Sequence, residues 1–338
     1  MLTTSSGQKE RDMIERFIET VGVAAIVLVV PLGYLWIVER AIQRFPRKRQ
    51  EMLRPWLWIA PALAFLAVLL LYPALNTIVL SFMNGNASKF AGFDNYQYLV
   101  TNTDTTVAIR NNVTWLLIFI PVTIVFGLLM AVLTDRVPYE RVAKAIMFMP
   151  MAISFVAAGV IWKFMYDYRP PGAPQTGTVN ALYIGVLQLD TQPRAWLIDP
   201  HTNNLALIVA AVWMLTGFCM VIFSAGIKGI PQELLEAARV DGANEWQAFI
   251  RITFPLLLPT LGVIITTLVI VALKAFDIVY VLTGGNYDTD LLATRMFKEL
   301  FSSHNYGRAS AIAVVILIAT LPVLYLILRN FRRQESAR

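Results

Sequence analysis

Cysteine is almost missing from this chain of 338 residues: the one example, Cys219, lies in an apolar segment. No disulfide can form within the chain, and no cysteine metal cluster can be built. The two histidines, His201 and His304, fall in separate polar loops and offer no metal or catalytic pair. Charge is scarce too, at 15% of residues against 57% hydrophobic, which excludes an ordinary soluble domain of this length and points to a multispanning membrane protein. No G-x-x-x-x-G-K-[ST] loop is present, so the chain has no recognisable means of holding a nucleotide phosphate. Neither G-x-S-x-G nor H-E-x-x-H occurs, and no acids are paired at glycosidase-like spacing on a shared element, which leaves an enzyme nothing to work with. The net charge of +6 is better explained by loops on one side of a membrane than by nucleic acid.

Long apolar runs dominate what is there. A span needs about 20 residues to cross about 30 Å of hydrocarbon. Seven stretches qualify, near 20–38, 56–80, 112–134, 143–165, 204–227, 257–278 and 309–329. The first is followed by a basic cluster and no small-residue cleavage site, so it is expected to be an anchor rather than a cleaved signal. Basic residues crowd the segments 39–54 (Arg40, Arg44, Arg47, Lys48, Arg49, Arg54), 135–144 (Arg136, Arg141, Lys144), 228–255 (Lys228, Arg239, Arg251) and the tail (Arg329, Arg332, Arg333, Arg338). With seven spans these all share one side, expected to be the cytoplasm, and the N-terminus then lies outside. The segment 275–308 falls outside on this count yet carries Arg295, Lys298 and Arg308. The expected organisation is an extra span with its basic loop (1–54), an all-α transmembrane domain (55–333) and a short cytoplasmic tail (334–338).

One polar island stands between two apolar runs: Pro231 through Ala243, closed by Ile252-Thr253-Phe254-Pro255. Pro231 suits a first helical position, where its missing N–H costs nothing. Glu233 and Glu236 favour the positive end of a helix dipole. Gly242 is where that helix should stop, since glycine takes the left-handed conformation cheaply. Asn244 with Gln247 three residues on fits a capping box for a second short helix. Local chemistry alone fits a stiff loop between spans as well as a transmission element.

Away from the span ends the membrane interior is nearly free of charge, with Lys274 and Asp277 as the exception. Three apart, they are expected to share a helix face near the outer end of the sixth span. They form either an interfacial ion pair or a polar contact lining the exit of an external cavity. A single pair offers no proton path across a membrane. Trp213, Phe218, Phe276 and Tyr280 supply aromatic faces that suit either packing or a sugar path.

Residues 231–259 resemble the signature of binding-protein-dependent ABC importer permeases, E-A-A, three residues, G, nine residues, I, then L-P. Here it reads Glu236-Ala237-Ala238, Gly242, Ile252 and Phe254-Pro255, departing only at Phe254. Asp241 before the glycine resembles the carbohydrate-uptake branch, as do Leu71-Tyr72-Pro73, Phe93-Asp94-Asn95-Tyr96, Trp213 through Phe218, and Phe276-Asp277 through Gly284-Gly285. The resemblance covers roughly 55–333 and leans toward α-glucoside permeases such as those for maltose or trehalose. It implies a type I importer transmembrane-domain fold with the 228–258 loop as an ATPase-docking element: Glu236, Ala237, Ala238, Asp241, Gly242 and Pro255 are the coupling residues. It implies solute contacts in the flanking spans, at Trp213, Met214, Phe218, Lys274 and Asp277. The implied partners are a second permease, two ATP-binding cassette subunits, an extracytoplasmic sugar-binding protein and the bilayer. The chain itself then holds no cofactor, ATP and Mg²⁺ residing in the ATPase. A glycerol 3-phosphate permease is the alternative, but it should require basic groups at the solute site, and Lys274 is the single plausible donor in the spans. A secondary transporter acting alone is disfavoured by the lack of intramembrane charge.

Overall fold

The computed structural model describes residues 29–190 and 192–335. The described residues are helical throughout, with no strand among them. Two compact units are present, residues 1–76 and 77–338. The expected boundary at 54/55 lies in a helix that runs on without interruption. The expected first span, 20–38, is described from residue 29 onward, where it is helical; residues 20–28 lie outside the described residues.

In the first unit, α1 (29–42) and α2 (Arg47–Leu80) form a hairpin. The hairpin is closed by Tyr34 Oη donating to the Leu57 carbonyl at 2.8 Å, Gln50 Nε2 donating to the Phe45 carbonyl at 2.7 Å, and an ion pair between Arg54 and Glu39. Helix α2 contains a π turn, Ala67–Leu71, just before Pro73. A proline ring strikes the carbonyl four residues back, and a widened turn there removes the clash. The same device recurs at Phe249–Thr253, ahead of Pro255.

The second unit is built on α4 (Thr103–Thr134) packed along α7 (Asn203–Lys228). The buried stripe of α4 repeats at every fourth position, Asn111, Trp115, Phe119, Thr123, Gly127 and Ala131. It joins two large aromatics to small and polar residues that let the neighbouring helix come close. A Cβ on Gly127 would sit 2.4 Å from the Cys219 Cβ, so glycine sets how closely α4 approaches α7. Helix α9 (Glu245–Leu273) packs against α4 and against α12 (Tyr306–Glu335).

Among the described residues, four helices are long and apolar enough to cross a membrane, five when one bent pair is counted, and the Tyr306–Pro322 part of α12 is a shorter apolar stretch. The expected span at 143–165 is that bent pair: α5 (Glu140–Ala152) and α6 (Phe155–Met165) meet at 99°. Ile153 is extended, and the Ser154 side chain caps α6 by accepting from the Ala157 N–H at 3.1 Å. Hydropathy reads through this break because every flanking residue is apolar. The expected span at 257–278 is also corrected. Its helix starts at Glu245, passes a π turn (Phe249–Thr253) ahead of Pro255, and stops at Leu273.

Candidate functional site: the polar loop and the outer cavity

The polar island folds as the helix α8 (Gln232–Val240), a tight turn, and the start of α9. Pro231 is the residue preceding the helix rather than its first member. Gly242 has φ +84°. The Gly242 N–H bonds the Arg239 carbonyl at 3.1 Å, and the Ala243 N–H bonds the Ala238 carbonyl at 2.9 Å, which together make a Schellman stop. The capping box forms: Asn244 Oδ1 accepts from the Gln247 N–H at 2.8 Å, and Gln247 Oε1 accepts from the Asn244 N–H at 3.0 Å. The second short helix is therefore the first turn of α9, continuous with the span. Ala238 is buried, whereas Glu236, Ala237, Asp241 and Pro255 are exposed. Val240 is 87% and Trp246 70% exposed, so two large apolar side chains lie uncovered on an otherwise polar loop.

Side chains tie this loop to the bundle. Arg239 pairs with Glu245 at 3.0 Å across the turn, and Glu245 also pairs with Arg136, just past the end of α4, at 3.5 Å. A cleft of about 490 Å³ opens between them, floored by Val132, Ile227 and Leu235. Beside it, Lys144 of α5 donates to Glu140 at 2.6 Å and contacts both Asp135 and Ser224. Lys228 pairs with Glu140 as well. Ser224 Oγ donates to Asp135 Oδ1 at 2.8 Å. The ends of α4, α5 and α7 are thus cross-linked next to the loop. The sequence offered one signal for this cluster, the basic residues at 136–144, but nothing to pair them with Ser224.

At the other end of the bundle, α9 stops at Leu273 with Lys274 as its capping residue, and α10 (Asp277–Leu282) begins after a two-residue break. Lys274 and Asp277 therefore do not share a helix face, and no ion pair joins them among the described residues. Both instead line one open cavity of about 190 Å³, walled by Trp115, Phe155, Val271 and Phe276. Phe276 stacks on Tyr280 at 5.0 Å, and Phe297 closes on both at 5.1 and 5.2 Å. Trp213 does not join this group; it meets Trp162 edge-on at 5.8 Å. Met214 is buried in the core, and Phe218 is half-buried against it.

The loop beyond the cavity is held by asparagines that the sequence reading passed over. Asn111 Nδ2 donates to the carbonyls of Asp288 and Asp290 at 2.7 and 2.9 Å. Asn112 Oδ1 accepts from the Leu292 N–H at 2.7 Å, and Asn203 Nδ2 donates to the Tyr287 carbonyl at 2.6 Å. The doublets Asn111-Asn112 and Asn203-Asn204, near the starts of apolar helices, were the available signal. The basic residues of 275–308 also find internal partners. Arg295 pairs with Asp104 at 2.8 Å and Glu299 at 2.9 Å, Lys298 pairs with Asp290 at 2.9 Å, and the Arg308 guanidinium lies 3.6 Å over the Tyr98 ring. Arg295 and Lys298, neutralised in this way, carry little weight in a loop-charge bias. Burial pushes the Asp290 carboxyl above its ordinary value despite Lys298.

Residues 123–334 match the family described as binding-protein-dependent transport system inner membrane component. The chain is 49% identical to the osmoprotective compounds uptake permease of Synechocystis sp. over 83% of its own length and 100% of that protein. It is 44% identical to the α-glucoside transport system permease of Rhizobium meliloti, covering 84% of each. Its fold matches a chain of a bacterial ABC transporter that imports the acidic polysaccharide alginate, with a TM-score of 0.69, 24% identity, and coverage of 85% of this chain and 99% of that one.

Proposed function

This chain belongs to the binding-protein-dependent transport system inner membrane component family, and from that membership we propose that it is one of two permease subunits of an ATP-driven importer of an α-glucoside or a related neutral oligosaccharide. The coupling half of this reading rests on the capped turn at Gly242. Two helical segments locked by a Schellman stop and a capping box, with Val240 and Trp246 uncovered, form a rigid knob suited to a cleft on a separate ATP-binding subunit. Glu236, Ala237, Ala238, Asp241, Gly242 and Pro255 are the coupling residues. Closure of two such ATPases, which hold the ATP and Mg²⁺, is passed through Glu245 and Arg136 into α4. The chain itself performs no catalysis and takes no cofactor.

The solute half rests on the outer cavity. Lys274 and Asp277 place one positive and one negative group on the same wall, beside the Phe276 and Tyr280 faces. A neutral polyol fits that balance better than a phosphate-bearing solute, and pyranose rings stack on aromatic faces. The name of the Rhizobium relative points the same way. A soluble binding protein delivers the solute on the side of this cavity, the N-terminus lies on that side, and the 228–258 loop and the C-terminus face the cytoplasm. Residues 1–54 are accessory to the core pathway.

Uptake of labelled maltose, trehalose, sucrose, a monosaccharide and glycerol 3-phosphate in a strain lacking this chain tests the proposal. Loss of an α-glucoside, restored by the intact gene and not by Gly242→Asp, is the expected outcome. Selective loss of glycerol 3-phosphate would replace the substrate class, and unchanged uptake of all five would withdraw it.

A further inference from the structure

The α1–α2 hairpin has a feature that neither coupling nor solute passage uses. Residues 39–54 hold six basic side chains against two acids, Glu39 and Glu51. Arg54 is paired with Glu39, and Arg40 lies over the Trp36 ring at 4.4 Å. Arg44, Arg47, Lys48 and Arg49 crowd the turn, are exposed, and have no acid partner among the described residues. Three tryptophans flank them on both arms: Trp36 on α1 and Trp56 and Trp58 on α2, each more than half exposed. Trp56 follows Lys48 by eight residues, which is about 12 Å along a helix. Beyond the tryptophans α2 is an apolar run in which no residue is buried.

This sequence of apolar shaft, tryptophan belt and basic tip matches the order of layers in a bilayer leaflet. Tryptophan settles at the boundary between hydrocarbon and headgroups. The headgroup layer is about 5–7 Å deep on each side, so the four unpaired cations sit at its outer edge and their long side chains reach back to the lipid phosphates. We propose that the turn at residues 44–49 binds the headgroups of anionic phospholipids, with Arg44, Arg47, Lys48 and Arg49 as the phosphate ligands. A protein partner would fit the charges but would not account for tryptophans at one level on both arms. Guanidinium groups suit the site because they bind phosphate in bidentate fashion and stay charged.

The test uses the transporter assembled with its partner subunits in nanodiscs of phosphatidylcholine containing a minority of spin-labelled phosphatidylglycerol or spin-labelled phosphatidylcholine. The wild type should immobilise the anionic lipid in preference to the zwitterionic one, and the preference should fall as salt is raised. Each charge removed in the series leading to R44Q/R47Q/K48Q/R49Q should lower that preference roughly fivefold until it disappears. The variant R44K/R47K/R49K should keep most of it. Equal immobilisation of both lipids by the wild type would overturn the proposal and leave the charges to set orientation alone. Abolition of the preference by millimolar inorganic phosphate would overturn it in favour of a soluble anion. Loss of partner subunits from the glutamine variant with lipid preference intact would overturn it in favour of a protein contact. The salt titration of the wild type and the lysine variant decide the matter if the glutamine variant does not insert.

Discussion

Gly242 shows how much one backbone angle can carry. At φ +84° an L-residue costs about 1 kcal/mol more than glycine, yet a Cβ there would meet no atom within 4 Å. Substitution therefore acts through the turn itself and not through a clash. Gly242→Asp is expected to leave insertion intact, to lower uptake at least tenfold, and to leave residual ATP hydrolysis unlinked to solute; paired uptake and ATPase assays check this, and wild-type uptake would remove Gly242 from coupling. Asp290 makes a different residue-scale case. Its raised carboxyl pKa means the folded loop holds the proton more tightly than the unfolded chain does. The loop is then most stable below the ordinary carboxylate value of 3.8 and weakens as pH rises past it, levelling off above the raised value. Hydrogen-exchange protection at Thr289–Thr294, taken relative to the intrinsic amide rate at each pH, should fall over that window in the wild type and stay flat in Asp290→Asn.

Among the elements, contact distance between helices is set by glycine. A Cβ on Gly217 would lie 2.2 Å from the Met147 carbonyl oxygen, where α7 crosses α5. Gly217→Val must push the helices apart, at a cost of about 1–3 kcal/mol of overpacking. Its melting temperature in detergent should fall by several degrees, while Gly185→Ala, which meets nothing within 4 Å, should not move it. The same contrast explains what could be read from the chain. Caps and turns announce themselves in side-chain chemistry, so Asn244, Gln247 and Gly242 were legible, as was the apolar extent of α4 and α7. The bend at Ile153, the break after Leu273 and the π turns before Pro73 and Pro255 were not. They are changes in backbone hydrogen bonding within runs of uniformly apolar residues, where composition carries no contrast. Lys274 and Asp277 were expected to share a helix face; they line one cavity instead, because a helix ends between them.

For the whole second unit, the informative fact is the segregation of its polar groups to two ends. One end holds the asparagine-braced loop and the cavity, and the other holds the Lys144 cluster and the exposed 228–258 loop. Under the proposed coupling role, the bundle passes motion between its ends through a packed, apolar middle and discrete, exchangeable polar contacts at either end. On the proposed reading the 228–258 loop is a docking face: Leu234, Val240 and Trp246 are exposed on it, and Glu236 has no ion-pair partner among the described residues. A free carboxylate beside uncovered apolar groups is what a basic rim on an ATPase cleft would engage. Glu236 is exposed and makes no ion pair or side-chain hydrogen bond among the described residues, so Glu236→Lys should leave folding and membrane insertion unchanged. At a desolvated interface such a reversal costs on the order of 2–5 kcal/mol, enough to lower association with the ATP-binding subunits by well over tenfold. Co-purification from solubilised membranes measures it directly, and an undiminished yield of ATPase with the Glu236→Lys chain would place the contact elsewhere on the loop.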